Sequence, residues 1–153
     1  MMGSNAHLAI LIVEDEALLA MDIAATIEDC GHDVVGEAAS LSDVEAMQDI
    51  HPDLALIDLH LAHGSSGIDV ARLVRTRWPD SFVVFVTANP RKIPDDFAGG
   101  HGVIPKPFSH DGLMAALRYI EDTRDDRQPA SPPTSFTPSP KLLIRSSAAS
   151  VGR

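Results

Sequence analysis

Residues Asp53–Gly67 read DLALIDLHLAHGSSG. The run Leu54–Ile57 is apolar without interruption, the pattern of a strand covered on both faces, and it stops at a carboxylate, Asp58. GSSG at 64–67 supplies a turn. Ser66, with Asp69 three residues later, has the spacing of a capping box with Asp where Glu is usual, and it opens the helical pattern IDVARLVRTRW. The stretch is a strand–turn–helix unit with an acid at the carboxyl end of its strand.

The unit repeats along the chain. LAILIV (Leu8–Val13) is a continuous apolar strand, and EALLAMDIAATIEDC after it sets Leu19, Ile23 and Ile27 on one helical stripe that Gly31 terminates. DVVGEA is a second strand. Ser40 or Ser42 caps DVEAMQDI, which His51–Pro52 ends, because a residue before proline avoids helical geometry. FVVFV (Phe82–Val86) is a fourth strand. The following ANPRKIPDDFAGG holds Pro90, Pro94, Gly99 and Gly100, which predicts a fourth helix that is short or irregular. GVI is a brief fifth strand, set outermost by Pro105, since proline is tolerated in sheets chiefly at an edge. Ser109 caps a last helix whose buried stripe is Leu113, Leu117 and Ile120. Alternating strands and helices predict an α/β fold: a doubly wound, five-stranded parallel sheet with helices on both faces.

This domain is predicted to span residues 6–125. Residues 126–153, which include PASPPTSFTPSPK, have too little apolar content to offset the entropy of ordering and are predicted to form a flexible Pro/Ser-rich tail. KLLI within it has some docking character, but the flexible reading is preferred there too. Lys plus Arg total 12 against 22 for Asp plus Glu, a net charge of −10 that disfavours nucleic acid and anionic membranes as partners. Residues 126–153 carry Arg127, Lys141, Arg145 and Arg153 against Asp126, so the tail is mildly basic and the domain the more acidic for it. Cys30 is the single cysteine, which excludes an intrachain disulfide. The N-terminal MMGSNAHLAILIV has no basic segment and no run reaches spanning length, so a cytoplasmic protein is expected.

The strand ends carry the chemistry. Strand one runs into Glu14-Asp15-Glu16, strand three into Asp58, strand four into Thr87 and strand five into Lys106. In a parallel sheet these all lie on one rim, where ligands of such folds bind. Carboxylates brought that close repel unless a cation intervenes, and a hard divalent ion such as Mg²⁺ with oxygen ligands resolves the conflict. Such an ion also draws a phosphoryl group toward a carboxylate, with Lys106 neutralising one oxygen and the Thr87 hydroxyl donating to another. Aspartate is a competent nucleophile for forming an acyl phosphate.

ILIVEDE, LALIDLHLAHGSSGID, VFVTA and PKPF together resemble the response-regulator receiver domain of two-component signalling, over nearly everything but the tail. The resemblance implies the flavodoxin-like strand order 2-1-3-4-5. It implies that Asp58 accepts phosphate from a sensor histidine kinase, with Thr87 and Lys106 contacting the phosphoryl group. It implies that Mg²⁺ is held by Asp15, Asp58 and the backbone carbonyl of His60, with Glu14 helping through water. The Lys106–Pro107 bond is commonly cis in this family. Val103 stands where relatives usually carry Tyr or Phe, and the weak fourth helix is a second departure. FVTANP and the irregular stretch after it resemble a bacterial subgroup that includes the receiver halves of stress-response anti-anti-sigma regulators and small stand-alone regulators.

The implied function is a stand-alone response regulator, acting through a downstream protein, a histidine phosphotransfer partner or as a phosphate sink, and existing as a monomer or weak homodimer. Two alternatives stand beside it. A pseudo-receiver would bind partners without phosphate. A Mg²⁺-dependent phosphohydrolase would need an acid two residues after Asp58, where His60 stands. His60 and His63 lack further His or Cys partners nearby for a zinc site, and Thr87 also suits a strand simply as a β-branched residue. With no aromatic at 103, residues 88–102 are expected to reorganise when the site is phosphorylated.

Overall fold

Successive side chains of a strand point to opposite faces, and the apolar runs use this to fill two cores. The computed structural model describes residues 7–127 and 131–143. Five parallel strands, β1 (Ala9–Val13), β2 (Asp33–Ala38), β3 (Leu54–Ile57), β4 (Phe82–Thr87) and β5 (Gly102–Pro105), lie in the order β2-β1-β3-β4-β5. Helices α1 (Ala17–Asp29) and α4 (His110–Arg124) cover one face, where Ile10, Ile12, Leu54, Leu56, Val84 and Ile104 meet Ile23, Ile27, Leu113 and Ile120. Helices α2 (Leu41–Ala46) and α3 (Gly67–Arg77) cover the other, where Leu11, Val13, Ile57 and Phe85 meet Val44, Val70 and Val74. Among the described residues no helix is long and apolar enough to cross a membrane.

Caps set the helix starts. The hydroxyls of Ser40 and Ser109 accept from the amides of Asp43 and Gly112, and Gly31 follows α1 with φ +82°. Ser66 caps α3 by accepting from Ile68 N–H at 3.1 Å, one residue short of the Asp69 expected from capping-box spacing. Between β4 and β5 the chain makes only two 3-10 turns, Pro90–Lys92 and Phe97–Gly99, in place of a fourth crossover helix.

Three features depart from the sequence reading. Helix α2 ends at Ala46 rather than running to His51, because the Arg77 guanidinium donates to the carbonyls of Val44, Glu45 and Met47 and terminates it there. The sheet has a sixth strand, β6 (Thr137–Pro138), antiparallel to β5, so β5 is not outermost. Pairing covers only Gly102 and Val103, which leaves Pro105 in the open half of the strand, where a missing N–H costs nothing. The flexible tail expected over 126–153 therefore does not describe residues 131–143, whose Phe136 and Leu142 are buried in the α1/α4 core. Of the KLLI segment, Ile144 lies outside the described residues.

Two buried histidines tie the opposite rim of the sheet. His32 Nδ1 accepts from Leu8 N–H, and His101 Nδ1 accepts from Val83 N–H, each at 3.0 Å. Burial pushes the His32 imidazole below its ordinary value, with Glu121 opposing. The unfolded chain thus takes up this proton before the folded one, so the stability His32 contributes is present above about pH 6.5 and lost as pH falls through its folded-state value. Urea denaturation at pH 7.5 and pH 5 is expected to show a larger loss for wild type than for His32→Gln. Gly67 is set by contact: a Cβ there would lie 2.0 Å from the Asp58 carbonyl oxygen and 2.8 Å from Leu59 Cα, both backbone. Gly67→Ala is expected to cost about 2 kcal/mol or more in the same assay, since neither neighbour can move without distorting β3.

Candidate functional site

Register brings the acids together. Val13 pairs with Ile57, Ile57 with Phe85 and Thr87 with Pro105, so the residues after these pairs meet on one rim. Backbone bonds extend the ladder into the site: Glu14 N–H donates to Ala38 O, Asp58 N–H to Val13 O and Lys106 N–H to Thr87 O, each at 2.9 Å. Glu14, Asp15 and Asp58 each offer a carboxylate oxygen, and the three atoms lie within 4.8 Å of one another. Glu14 and Asp58 are 6% exposed, whereas Asp15 is open to solvent.

Lys106 holds this arrangement. Its Nζ lies 3.1 Å from Glu14 Oε1 and 3.3 Å from Asp58 Oδ2. Burial alone would push the ammonium down, but Glu14 and Asp58 outweigh burial and hold it above its ordinary value, so it stays charged. Burial pushes the Glu14 carboxyl up; a hydrogen bond from Glu16 N–H pulls it down, Asp58 repels it further up and Lys106 opposes. The Glu16 amide donates to Glu14 Oε2 at 3.1 Å, fixing one oxygen while Lys106 takes the other.

Beside these acids opens a cleft of about 360 Å³ whose walls include Asp15, Asp58, His60, Thr87, Asn89 and Lys106. Every residue singled out in the sequence for this site is therefore at it, Glu14 from just behind. The Thr87 hydroxyl accepts from Asn89 N–H at 3.0 Å, which leaves its own hydrogen to donate elsewhere. His60 pairs with Ser66 in a small bridge whose hydrogen bonds, Leu61 N–H to Ser65 O and Gly67 N–H to Leu59 O, leave the His60 carbonyl unused. The His60 amide reaches back to Asp58 Oδ1 at 3.4 Å. The side chains of His60 and His63 are exposed, and among the described residues the cluster of possible metal ligands here is Glu14, Asp15 and Asp58. The Lys106–Pro107 bond is cis.

The clustered donors are carboxylate oxygens, from Glu14, Asp15 and Asp58. That chemistry fits a hard divalent cation such as Mg²⁺, which tolerates one or two carboxylates and keeps several waters. Sequence reading missed the supports. Asn89 and Glu16 act through backbone N–H groups, for which no residue type is diagnostic, and Gly67 is recognisable only once the Asp58 carbonyl is seen against it.

Comparison with known proteins agrees with this geometry. Residues 10–118 match the response regulator receiver domain. The phyllosphere-induced regulator PhyR of Methylorubrum extorquens is 37% identical over 112 residues, which are 71% of this chain and 41% of that protein. The solution structure of the Erythrobacter litoralis PhyR receiver domain superposes with a TM-score of 0.64 at 32% identity, covering 72% of this chain and 87% of that one. The crystal structure of a mutant of the anti-anti-sigma factor PhyR from Bartonella quintana gives 0.69 at 30% identity, covering 80% and 52%. The chain spans about half the length of the longer relatives it matches.

Removing the cation that separates the acids should expose their repulsion. Lys106→Met in metal-free buffer is expected to lose about 3 kcal/mol of stability at pH 7, the scale for breaking a buried pair. A carboxyl group with a raised folded-state value favours folding below its unfolded value and loses that contribution as pH rises. The deficit of Lys106→Met should therefore shrink as pH falls toward about 4, measured by urea denaturation against wild type.

Proposed function

The chain belongs to the response regulator receiver family of signalling domains, and from that premise we propose that it takes a phosphoryl group from a sensor histidine kinase onto Asp58 and signals by protein contact. The observation that carries this reading is the position of Lys106 Nζ, 3.3 Å from Asp58 Oδ2 at the mouth of the cleft. An Asp58 oxygen attacks phosphorus as the N–P bond of the donor phosphohistidine breaks; the imidazole nitrogen keeps the electron pair and takes a proton from solvent. Asp58 becomes an acyl phosphate. Lys106 then neutralises a phosphoryl oxygen, and Thr87, steadied by Asn89, donates its hydroxyl hydrogen to another. Asp15, Asp58 and the His60 carbonyl would hold Mg²⁺, with Glu14 acting through water, and the bound ion would lower the charge repulsion between carboxylate and phosphoryl group.

A docking surface adjoins the cleft. Leu18 and Met21, one turn apart at the start of α1 and just beyond Asp15, are 82% and 65% exposed, an apolar pair suited to a kinase or phosphotransfer partner. The net charge of −10 supports a protein rather than a nucleic acid as the downstream partner. Likeness to the PhyR stress response regulator supports a stress-response setting, and a cytoplasmic location belongs to the same reading.

Incubation with acetyl phosphate and Mg²⁺, followed by mass spectrometry, is expected to show a single phosphoryl adduct on wild type and none on Asp58→Asn. An unmodified wild type would favour the pseudo-receiver. Steady hydrolysis of a small phosphate ester would favour the phosphohydrolase.

A further inference from the structure

The β5 edge is occupied by the chain itself. Phe136, Ser139 and Leu142 are 2%, 1% and 0% exposed, although they come from a Pro/Ser-rich stretch. The Phe136 ring lies 5.5 Å from that of Tyr119 on α4, tilted by 48°. The seat is shaped for this segment. A Cβ on Gly102 would come within 2.4 Å of the Phe136 ring and 2.7 Å of the Thr137 carbonyl oxygen, and a Cβ on Gly112 would meet Ser135 Cβ at 3.3 Å.

The polar contacts are made to main chain. The Ser135 hydroxyl donates to Gly112 O at 2.7 Å, Ser139 N–H to His101 O at 2.9 Å and Lys141 Nζ to Gly99 O at 3.1 Å. The segment is strand only at Thr137–Pro138; a helical turn follows, with the Ser139 carbonyl accepting from Leu142 and Leu143 N–H, so the groove reads a short strand, a turn and two apolar anchors rather than charge. The attachment is also short. Strand pairing covers only Val103 with Thr137 and Gly102 with Pro138, and Pro138 has no N–H to give. The five parallel strands and the α2/α3 core include no residue of it, and the α1/α4 core takes from it only Phe136 and Leu142.

We infer that the β5 edge and the pocket beside Tyr119 form a groove, filled in cis by residues 135–142, for which a partner protein competes with a segment that pairs briefly with β5, then turns, and so presents an aromatic and an aliphatic anchor as Phe136 and Leu142 do. Edge pairing combined with side-chain pockets is the chemistry of strand addition. The groove also meets the irregular stretch 88–102, since the carbonyls of Gly99 and His101 hold the segment at that stretch's end. This rests on the reading that the chain signals by protein contact, and its test involves no phosphate, so it can fail while Asp58 still accepts a phosphoryl group.

The probe is a fluorescent peptide of residues 131–143, titrated into the full chain and followed by anisotropy. Phe136→Ala and Leu142→Ser, each weakening the cis segment, are expected to bind it at least about tenfold more tightly than wild type, where the tethered copy competes. Gly102→Val added to Leu142→Ser fills the Phe136 seat and should abolish binding. Equal binding by wild type and both variants, or no binding by any chain, overturns the proposal. Hydrogen exchange of the unmodified protein is independent of whether the variants fold. The Ser139 and Leu142 amides are expected to exchange at least about tenfold faster than that of Val84 in β4, as a segment that opens alone. Exchange of all three only through global unfolding would mark a fixed structural cap and overturn it as well.

Discussion

One ammonium group stands between two buried carboxylates, and the rest of the structure is arranged around that fact. Glu14 and Asp58 arrive from neighbouring strands with little solvent to screen them, and Lys106 bridges them from β5. Two unit charges about 4 Å apart interact by roughly 4 kcal/mol at the dielectric that suits partly buried pairs. That is a large share of the roughly 5–15 kcal/mol that holds an ordinary domain folded. The repulsion is tolerable only because strand register delivers the lysine to the acids, and it keeps a demand for positive charge at the cleft. A hard divalent cation is the kind of group that would answer that demand at the three clustered carboxylates.

The same strand joins the site to the far edge of the molecule. Lys106 follows β5 at the cleft, while Gly102 and Val103 at the other end of β5 pair with β6. The irregular stretch 88–102 connects Thr87 and Asn89 at the cleft to Gly99 and His101 beneath the C-terminal segment. In place of a regular crossover helix it makes two 3-10 turns, and packs Ile93, Phe97 and Ala98 against the α2/α3 core. Positive φ at Phe97 and Ala98 shows where the chain bends to reach β5. Thr87 and the C-terminal segment are thus joined through this stretch, and Val103 on β5 carries no aromatic ring.

Much of the sheet and site was legible in the sequence because its signals are local. Continuous apolar runs mark strands covered on both faces, serines mark helix starts, and acids at strand ends converge once the strands are parallel. Asp58 stood out because a charge ends a buried run. What escaped depends on contacts between distant segments. Arg77 shortens α2 by reaching across to its carbonyls, which the pattern DVEAMQDI does not record. The sixth strand is a Thr-Pro pair inside proline-rich text, where local propensity argues against any strand; it forms because Gly102 leaves room for Phe136. No sequence pattern marks His32 or His101, yet they are buried as acceptors for strand amides.

The claim beneath all of this is that the Glu14–Asp15–Asp58 cluster is a single oxygen-donor centre for a divalent cation. Titrating Mg²⁺ into the full chain while following backbone amide NMR signals tests it most directly. One saturable event should move the amides of Glu14, Asp15, Glu16, Asp58 and His60 together, and Asp58→Asn should weaken it. Amides there that stay still while Mg²⁺ is added, or that move only along with exposed acids elsewhere, would contradict the account.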